Sequence, residues 1–590
     1  MPPPDLSVDA VRAELARILE SSLFASSTAL SQLLRFTVEK TLAREADFLK
    51  EYCIATEVFH RKASFDPEAD SIVRVQARKL RKRLLAYYEG PGRLDPVRIE
   101  CTPGSYVPRF VEPAPAPPPD RSGEPRIPIA VLPFLNLSPA LESAYFCDGL
   151  TEELIYALSR NPSLRVVARS SSFQFKGSSQ DVRLIGRKLG AEYVVEGSVR
   201  SSDRGLRVTA ELVNVADGFQ VWSQRFDRTL SDVFRIQEEI AHSIAGALCS
   251  SIPRSRAGAP AVRPAPDLAA YDLYLKGRYH WNQRTEEGFA RAVQYYEQAI
   301  LKDPAFAKAY AGLAETYVLM MMHNLAAPLV LMPKARTAAL AALSIEPELA
   351  SAHSSLAAVR MLLDRDPQAA ESEWRHALRL DPDYATLWHW YGIFCLAPQG
   401  RAGEALDALR RAEALDPFSV PIANDVGFVL YYARRLDEAI AQCRKALSLN
   451  PYFYRAILVM GRALAAQARC AAAVEHCLSA RAFMPGKAFL CQLLGTLGFS
   501  YAAMHSKESA LAVLEELQAL AATHFASPFE IAIIQAALGA HDEALDSLEQ
   551  ALEQRSGWAV MLPVEPLLDP VRNHPRFASM LHRLYAHPGR

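Results

Sequence analysis

Six prolines, Pro304, Pro347, Pro382, Pro417, Pro451 and Pro485, recur at intervals of 43, 35, 35, 34 and 34 residues. Five residues before each stands an alanine: Ala299, Ala342, Ala377, Ala412, Ala446 and Ala480. Twelve before each stands another: Ala292, Ala335, Ala370, Ala405, Ala439 and Ala473. Eight before, the side chain is bulky or apolar (Tyr296, Trp374, Leu409, Cys443, Cys477), with Ala339 as the exception. Two alanines seven residues apart lie on one helix face, two turns from each other. Small side chains there let a second helix approach closely, and the proline stops the helix before the next begins. A chain with this rhythm folds into stacked helix pairs. A generic helical bundle leaves the phasing unexplained.

A helix pair repeated at about 34 residues is the period of the tetratricopeptide class, and these residues resemble that family. The resemblance implies antiparallel pairs stacked into a superhelix with a concave groove. The first pair begins near Tyr271; Gly498 with Tyr501 and Ala510, then Ala544 with Leu548 and Ala551, extend the series to about eight pairs. The tail from Pro563 to Tyr585, with Leu581 and Leu584 on a last short helix, is expected to cap the stack. In the family the first helix of each pair lines the groove, which makes His389, Asn424, Phe428, Arg455 and Arg462 the candidate contacts for a protein or peptide. Asn424 and the two arginines loosely resemble the clamp that some members place on a peptide carboxylate, although the set of basic and amide residues is incomplete. Trp388 and Trp390 read as packing.

Before the repeats the organisation changes twice. Apolar residues at helical spacing predict helices over 29–43, 49–59 and 69–88, the last two separated by the turn-like Phe65, Asp66 and Pro67. The third has the stripe Val73, Ala77, Leu80, Leu84 and Tyr87. Its other faces carry Arg74, Arg78, Lys79, Arg81, Lys82 and Arg83. Two short strands, 97–101 and 106–110, flank Pro103 and Gly104, which suit the centre of a type II turn. The stretch VRVQARKLRKRL from Val73, followed by a hairpin ending in Gly104, Ser105 and Tyr106, resembles the OmpR-type winged helix-turn-helix. That resemblance implies that the basic helix enters the major groove of DNA, with Arg74, Arg78, Lys79 and Lys82 as contacts and Arg98 on the wing. Arg81 sits in the Leu-Arg pair of that helix and reads as more structural. The hairpin is shorter than in the family, and no sheet precedes the first helix. Residues 1–112 carry 17 Lys and Arg against 16 Asp and Glu, so DNA affinity of one copy is expected to be weak and salt-sensitive, and a homodimer is expected to strengthen it. The bland alternative is a solvated helix face.

Residues 113–128 form a linker with seven prolines, polar and semi-rigid, so no membrane anchor separates what flanks it. From Ile129 the pattern is mixed: strands at 129–134, 164–168, 193–200, 206–215 and 219–228, helices at 145–160, 182–189 and 231–248, and turns at Asp203 to Gly205 and at Asp217-Gly218. The stretches IAVLPF from Ile129, FCDGLTEELIYAL from Phe146, RLIGRKLGAEYVVEGSVR from Arg183 and GFQVWSQRFDR from Gly218 resemble the TolB-like domain of bacterial signalling proteins. The resemblance places it between an output domain, DNA-binding or nucleotide cyclase, and tetratricopeptide repeats; no cyclase domain is visible here. Asp148, Glu152, Glu153, Glu192 and Glu196 could suggest paired carboxylates, but Glu152 and Glu153 read as acids at a helix start, favourable to the dipole. Gly190 and Gly197 fit neither phosphate-binding glycine motif.

The expected architecture is mainly α and multidomain: a winged helix-turn-helix at 1–112, an α/β TolB-like domain at 129–250, a linker at 251–266, and an α-solenoid of repeats at 267–590. Nine cysteines occur with no CxxC pair or zinc spacing, which reads as buried thiols in a reducing compartment and predicts no metal and no cofactor. The first residues lack a signal peptide's basic start and apolar core. The apolar window 311–332 is interrupted by Glu315, His323, Asn324 and Pro328 and reads as a buried helix with a loop insertion. The expectation is a cytoplasmic bacterial regulator that binds DNA and a protein partner and is not an enzyme. Two alternatives stay open: a scaffold without DNA binding, or the regulatory part of a cyclase-like system.

Overall fold

The computed structural model describes residues 8–25, 27–43, 45, 48–62, 70–89, 92, 95, 97–101, 106–111, 126–138, 144–159, 161, 163–202, 205–228, 233–249, 267–482, 484, 486–522 and 525–585. The linker at 251–266, residues 113–125 of the linker expected at 113–128, the turns at 65–67 and 103–105, and Pro485 therefore lie outside the described residues, as does most of the turn at 203–205; Ile127 and Pro128, expected as linker, already belong to a strand. The chain forms two compact units, 1–124 and 125–590.

The first unit begins with a helix that the sequence reading did not include, Val8–Glu20, and a single turn, Ser22–Ala25. Helices Thr28–Leu42, Glu51–Glu57 and Ile72–Glu89 follow, then an antiparallel hairpin of β1 (Arg98–Glu100) and β2 (Arg109–Val111) with Ile99 opposite Phe110. The predicted stripe of helix 72–89 is buried throughout and packs with Val11, Leu15 and Ile18 of the first helix. The first helix is tied in by a buried polar knot. Tyr88 donates to Glu14 at 3.1 Å and accepts the Ile99 amide at 2.8 Å, while Arg17 donates to the same carboxylate at 2.6 Å. Burial raises the Glu14 carboxyl despite Arg17, and it also raises both Tyr87 and Tyr88.

The second unit opens with a mixed sheet. Its strands are β3 (Ile127–Val131), β4 (Leu135–Asn136), β5 (Leu164–Val166), β6 (Tyr193–Ser202), β7 (Gly205–Asn214) and β8 (Gln220–Arg228). The order is β5-β3-β6-β7-β8, parallel up to β6 and antiparallel beyond, with β4 alongside β6. Helices Ala144–Ser159 and Val233–Cys249 share one core with the sheet, whose inward residues include Val195, Val199, Val208, Leu212 and Phe226.

Eight helix pairs follow among the described residues, from Leu268–Asn282 with Glu286–Lys302 to Pro528–Ala537 with His541–Glu553. All twelve phased alanines are buried, as are the six residues eight before each proline. In the first six pairs the second helix stops before its proline; Glu286–Lys302, for example, ends in an extended Asp303. Glycines complete the crossing. Gly392, Gly427 and Gly461 stand ten residues after a proline. A Cβ at Gly427 would lie 3.0 Å from Cys443 Sγ and 3.2 Å from the Ala439 carbonyl, so a glycine on one helix meets the phased alanine of the other. The long first interval holds helices Ala307–Met322 and Pro328–Ile345 joined by a turn at 323–327, and that turn divides the apolar window. Helix Pro328–Ile345, with mean hydropathy 1.2, is the one helix among the described residues long and apolar enough to cross a membrane; here it is the second helix of a pair, with Ala335, Ala339 and Ala342 buried.

Read from the sequence as separate domains, the sheet and the repeats pack as one unit. Arg278 on the first repeat helix reaches Glu152 at 2.8 Å and Glu315 at 3.1 Å, and Arg169 meets Glu152 at 2.9 Å. Lys308 pairs with Glu153 at 2.8 Å, Tyr145 donates to Asp272 at 2.6 Å, and Arg126 reaches Asp383 at 2.6 Å. Further along, Ser170 and Ser171 both donate to Asp416, and Phe175 stacks edge-on with Phe418. Glu152 and Glu153 are therefore not helix-start acids: they lie in the middle of helix Ala144–Ser159, where the dipole contributes little, and they anchor the repeats.

Candidate nucleic-acid interface and repeat channel

Helix Ile72–Glu89 turns its apolar stripe inward, which forces its cations outward. Arg74, Arg78, Lys79 and Lys82 are all exposed, with Val75 exposed among them. Arg74 lies 3.6 Å from Glu51, whereas Arg78, Lys79 and Lys82 have no carboxylate partner among the described residues. Arg81 is only half-exposed, as its more structural reading requires. Arg98 differs from the expectation of a wing contact. It is half-buried, its guanidinium stacks on the Tyr88 ring at 5.4 Å, and its Nε has no hydrogen-bond partner among the described residues. Arg98 pairs with Val111 at the end of the hairpin opposite its turn, which leaves it against the helix.

The five groove candidates are brought together, but not on an open surface. His389, Asn424, Phe428 and Arg462 are buried, and Arg455 is nearly so. Asp425 gathers three of them: His389 Nε2 lies 2.7 Å from it, Arg455 donates at 2.8 Å and Asn424 at 2.6 Å. Burial alone would raise Asp425, yet Arg455 and His389 outweigh it and hold the carboxyl below its ordinary value. Arg462 serves a second node, donating to Glu530 at 2.6 and 2.7 Å and to Glu565 at 3.0 Å. Tyr431 donates to the same Glu565. Two carboxylates around one guanidinium leave surplus negative charge, and burial pushes Glu530 up to about 7.

The channel is filled by the chain itself. After the eighth pair come two 3-10 segments, Gly557–Met561 and Pro566–Val571, and a helix, Pro575–Leu584. Trp558 packs on Phe428 at 5.5 Å between ring centres. Gly557 lies so close to helix 307–322 that a Cβ there would fall 2.7 Å from Met321 Sδ. Arg434 fixes Asp569 at 2.6 and 2.7 Å. The tail thus occupies the interior of the stack as well as following its last pair. Trp390 is buried beside Phe394, and Trp388 donates to the Pro382 carbonyl at 2.8 Å, both in packing roles.

In the sheet domain, Asp148 is held by Lys176 at 2.6 Å. Glu196 lies directly across the ladder from Glu211, and burial with that like charge raises it. Among the described residues, no group of three His, Cys, Asp or Glu is placed to hold a metal ion. Of the eight cysteines whose burial is described, six are buried.

Residues 126–243 match the family described as HilA/YgeH-like transcriptional regulator, second domain. A protein named putative adenylate cyclase 3, from Rhizobium meliloti (strain 1021), is 37% identical over 198 residues, 34% of this chain and 33% of its own length. The transcriptional regulator HilA of Salmonella typhimurium is 23% identical over 263 residues, 45% of this chain and 47% of its own length. The chain thus spans half or less of the curated relatives it matches. Among solved structures, a thermophilic TPR protein of Thermus thermophilus aligns with 33% of this chain and 99% of its own at 23% identity and TM-score 0.29. A tetratricopeptide repeat protein of Parabacteroides merdae aligns with 46% of this chain and 98% of its own at 14% identity and TM-score 0.33. The chain is mainly helical, with a mixed α/β sheet in the middle and TPR-like helical repeats in its C-terminal half.

Proposed function

We propose that this chain is a cytoplasmic DNA-binding transcription regulator, acting as a homodimer, whose first unit is a winged helix and whose repeats bind a protein or peptide. The observation that carries the reading is the outward row Arg78, Lys79 and Lys82 on helix Ile72–Glu89, cations with no carboxylate partner among the described residues. Arg74 joins them, and Arg98 stabilises the hairpin behind them. The match of residues 126–243 to a domain of transcriptional regulators supports the same reading. The function is binding, not catalysis.

The test is selection of genomic DNA fragments by the full chain and by the Arg78→Ala/Lys79→Ala/Lys82→Ala variant, across a salt series. Each phosphate contact contributes about 0.9 to the slope of log affinity against log salt. The variant should lose the enriched half-site and flatten the slope by about 2 to 3. Equal, sequence-blind retention of both proteins would leave a scaffold. The similarity to a protein named adenylate cyclase favours a second reading, a regulatory chain in cyclase-like signalling; retention of a cyclase by the full chain, with no DNA enrichment, would select it.

A further inference from the structure

The repeat channel has an occupant whose structure is unlike a repeat. Residues 556–572 have no phased alanines, fold as 3-10 turns separated by Pro563, and are largely apolar. Trp558, Val560, Met561, Leu562, Leu567 and Leu568 are all buried, as an inserted segment must be. The segment reaches from Met321 in the second pair to Arg462 in the sixth and packs against helix Pro528–Ala537 of the eighth, lying along the first helices as a bound peptide would. Trp558 and Met561 face Met322, Leu362, Phe394 and Phe428.

Its polar anchoring is unbalanced. Arg462 serves Glu530 from the repeats and Glu565 from the segment. Tyr431 and Tyr432 face the same pair, and Cys491 lies near Glu530. With the segment in place, two carboxylates compete for one guanidinium. With it removed, Arg462 and Glu530 balance one to one. A cluster that is better compensated when the segment leaves lowers the cost of releasing it.

We propose that residues 556–572 are an internal occupant of the repeat channel, displaced by a partner peptide of the same chemistry: a bulky aromatic followed seven residues later by a carboxylate, as Trp558 is by Glu565. This deepens the reading of the repeats as a peptide-binding surface and rests on it. The aromatic takes the Phe428 site and the carboxylate takes Arg462.

Two measurements on the full chain test it. In native-state hydrogen exchange, the Glu565 amide, bonded to the Met561 carbonyl, and the Leu567 amide, bonded to the Glu565 side chain, report the segment. They should exchange at least about tenfold faster than the buried amides of helices Val420–Tyr432 and Tyr454–Ala466, because local opening needs less free energy than global unfolding. One common rate for all of them would make the segment permanent core and overturn the proposal. In the second, a fluorescent peptide of residues 554–573 is titrated onto the wild type and the Trp558→Ala/Glu565→Gln variant. Loss of the internal competitor should tighten binding at least about tenfold. Absence of binding to a folded variant overturns the proposal. If that variant does not fold, Arg434→Ala, which cuts only the exposed pair with Asp569, takes its place and should tighten binding about twofold to threefold. Neither readout involves DNA, so loss of the DNA-binding reading leaves both results standing.

Discussion

Replacing Glu530 by glutamine removes one carboxylate from a buried ion cluster, yet it should stabilise the protein at pH 8. Arg462 neutralises one of its two carboxylates, and burial pushes Glu530 from its ordinary 4.5 up to about 7. A carboxyl with a raised native value binds its proton more tightly in the fold than in the unfolded chain. Stability is therefore full below about pH 4.5, falls as the pH rises toward 7, and is level beyond. A shift of about 2.5 units at about 1.36 kcal/mol per unit costs about 3 kcal/mol at pH 8. The glutamine side chain avoids that cost but gives up the charged half of two hydrogen bonds, a loss of about 1–2 kcal/mol. The net gain at pH 8 is about 1–2 kcal/mol. At pH 5 Glu530 is already largely neutral, and the variant should match the wild type within about 1 kcal/mol. Urea midpoints for both proteins, followed by circular dichroism from pH 5 to 8, make the comparison. A flat wild-type profile, or a variant that loses more at pH 8 than at pH 5, would refute the shared-guanidinium account.

Other outcomes follow from the same geometry. Arg278→Ala strands Glu315 and leaves Glu152 with Arg169 alone in a buried site, and should destabilise the second unit by about 3–5 kcal/mol, with protection lost first in helices 144–159 and 268–282 on hydrogen exchange. Gly427→Val presses a branched side chain against Cys443 and the Ala439 carbonyl, lowering the urea midpoint by the equivalent of about 1–3 kcal/mol. Tyr88→Phe leaves the buried Ile99 amide without its acceptor and Glu14 with one donor fewer, costing about 1–3 kcal/mol in the first unit, read as faster exchange in helix 8–20.

What the sequence disclosed depended on range. Phased alanines and prolines are local signals repeated many times, and they located six of the eight helix pairs; the last two left only the looser series of Gly498, Tyr501 and Ala510, then Ala544, Leu548 and Ala551. The apolar stripe of helix 72–89 gave both its core face and, by elimination, its cationic face. The helix at 8–20 was legible too, since Val11, Leu15 and Ile18 recur at helical spacing, but no motif pointed to it. So were the glycines ten residues past the prolines, once one asks what the alanines pack against. The segment 556–572 left a subtler trace: WAVML from Trp558 has no polar face and too many prolines around it to form a repeat helix. That composition demands burial on all sides, which a terminal cap does not supply. Pairings such as Arg462 with Glu565, or Arg278 with Glu152, join residues more than a hundred positions apart, and no periodicity encodes them. For the same reason the channel residues looked available in sequence. Their side chains suit peptide binding, and that chemistry is already engaged.

The seam between the sheet domain and the first two repeat pairs has a mechanical consequence. A stack of repeats is ordinarily quasi-one-dimensional, each pair touching only its neighbours, so the ends fray and the middle outlasts them. Here the leading end is welded to a sheet through Glu152, Glu153 and Asp272, and the trailing end is threaded back to Met321 in the second pair. Closing the chain in this way converts a row of dominoes into a loop. No terminal pair is left to melt alone, and a disturbance at either end is carried to the other without passing through every repeat between them.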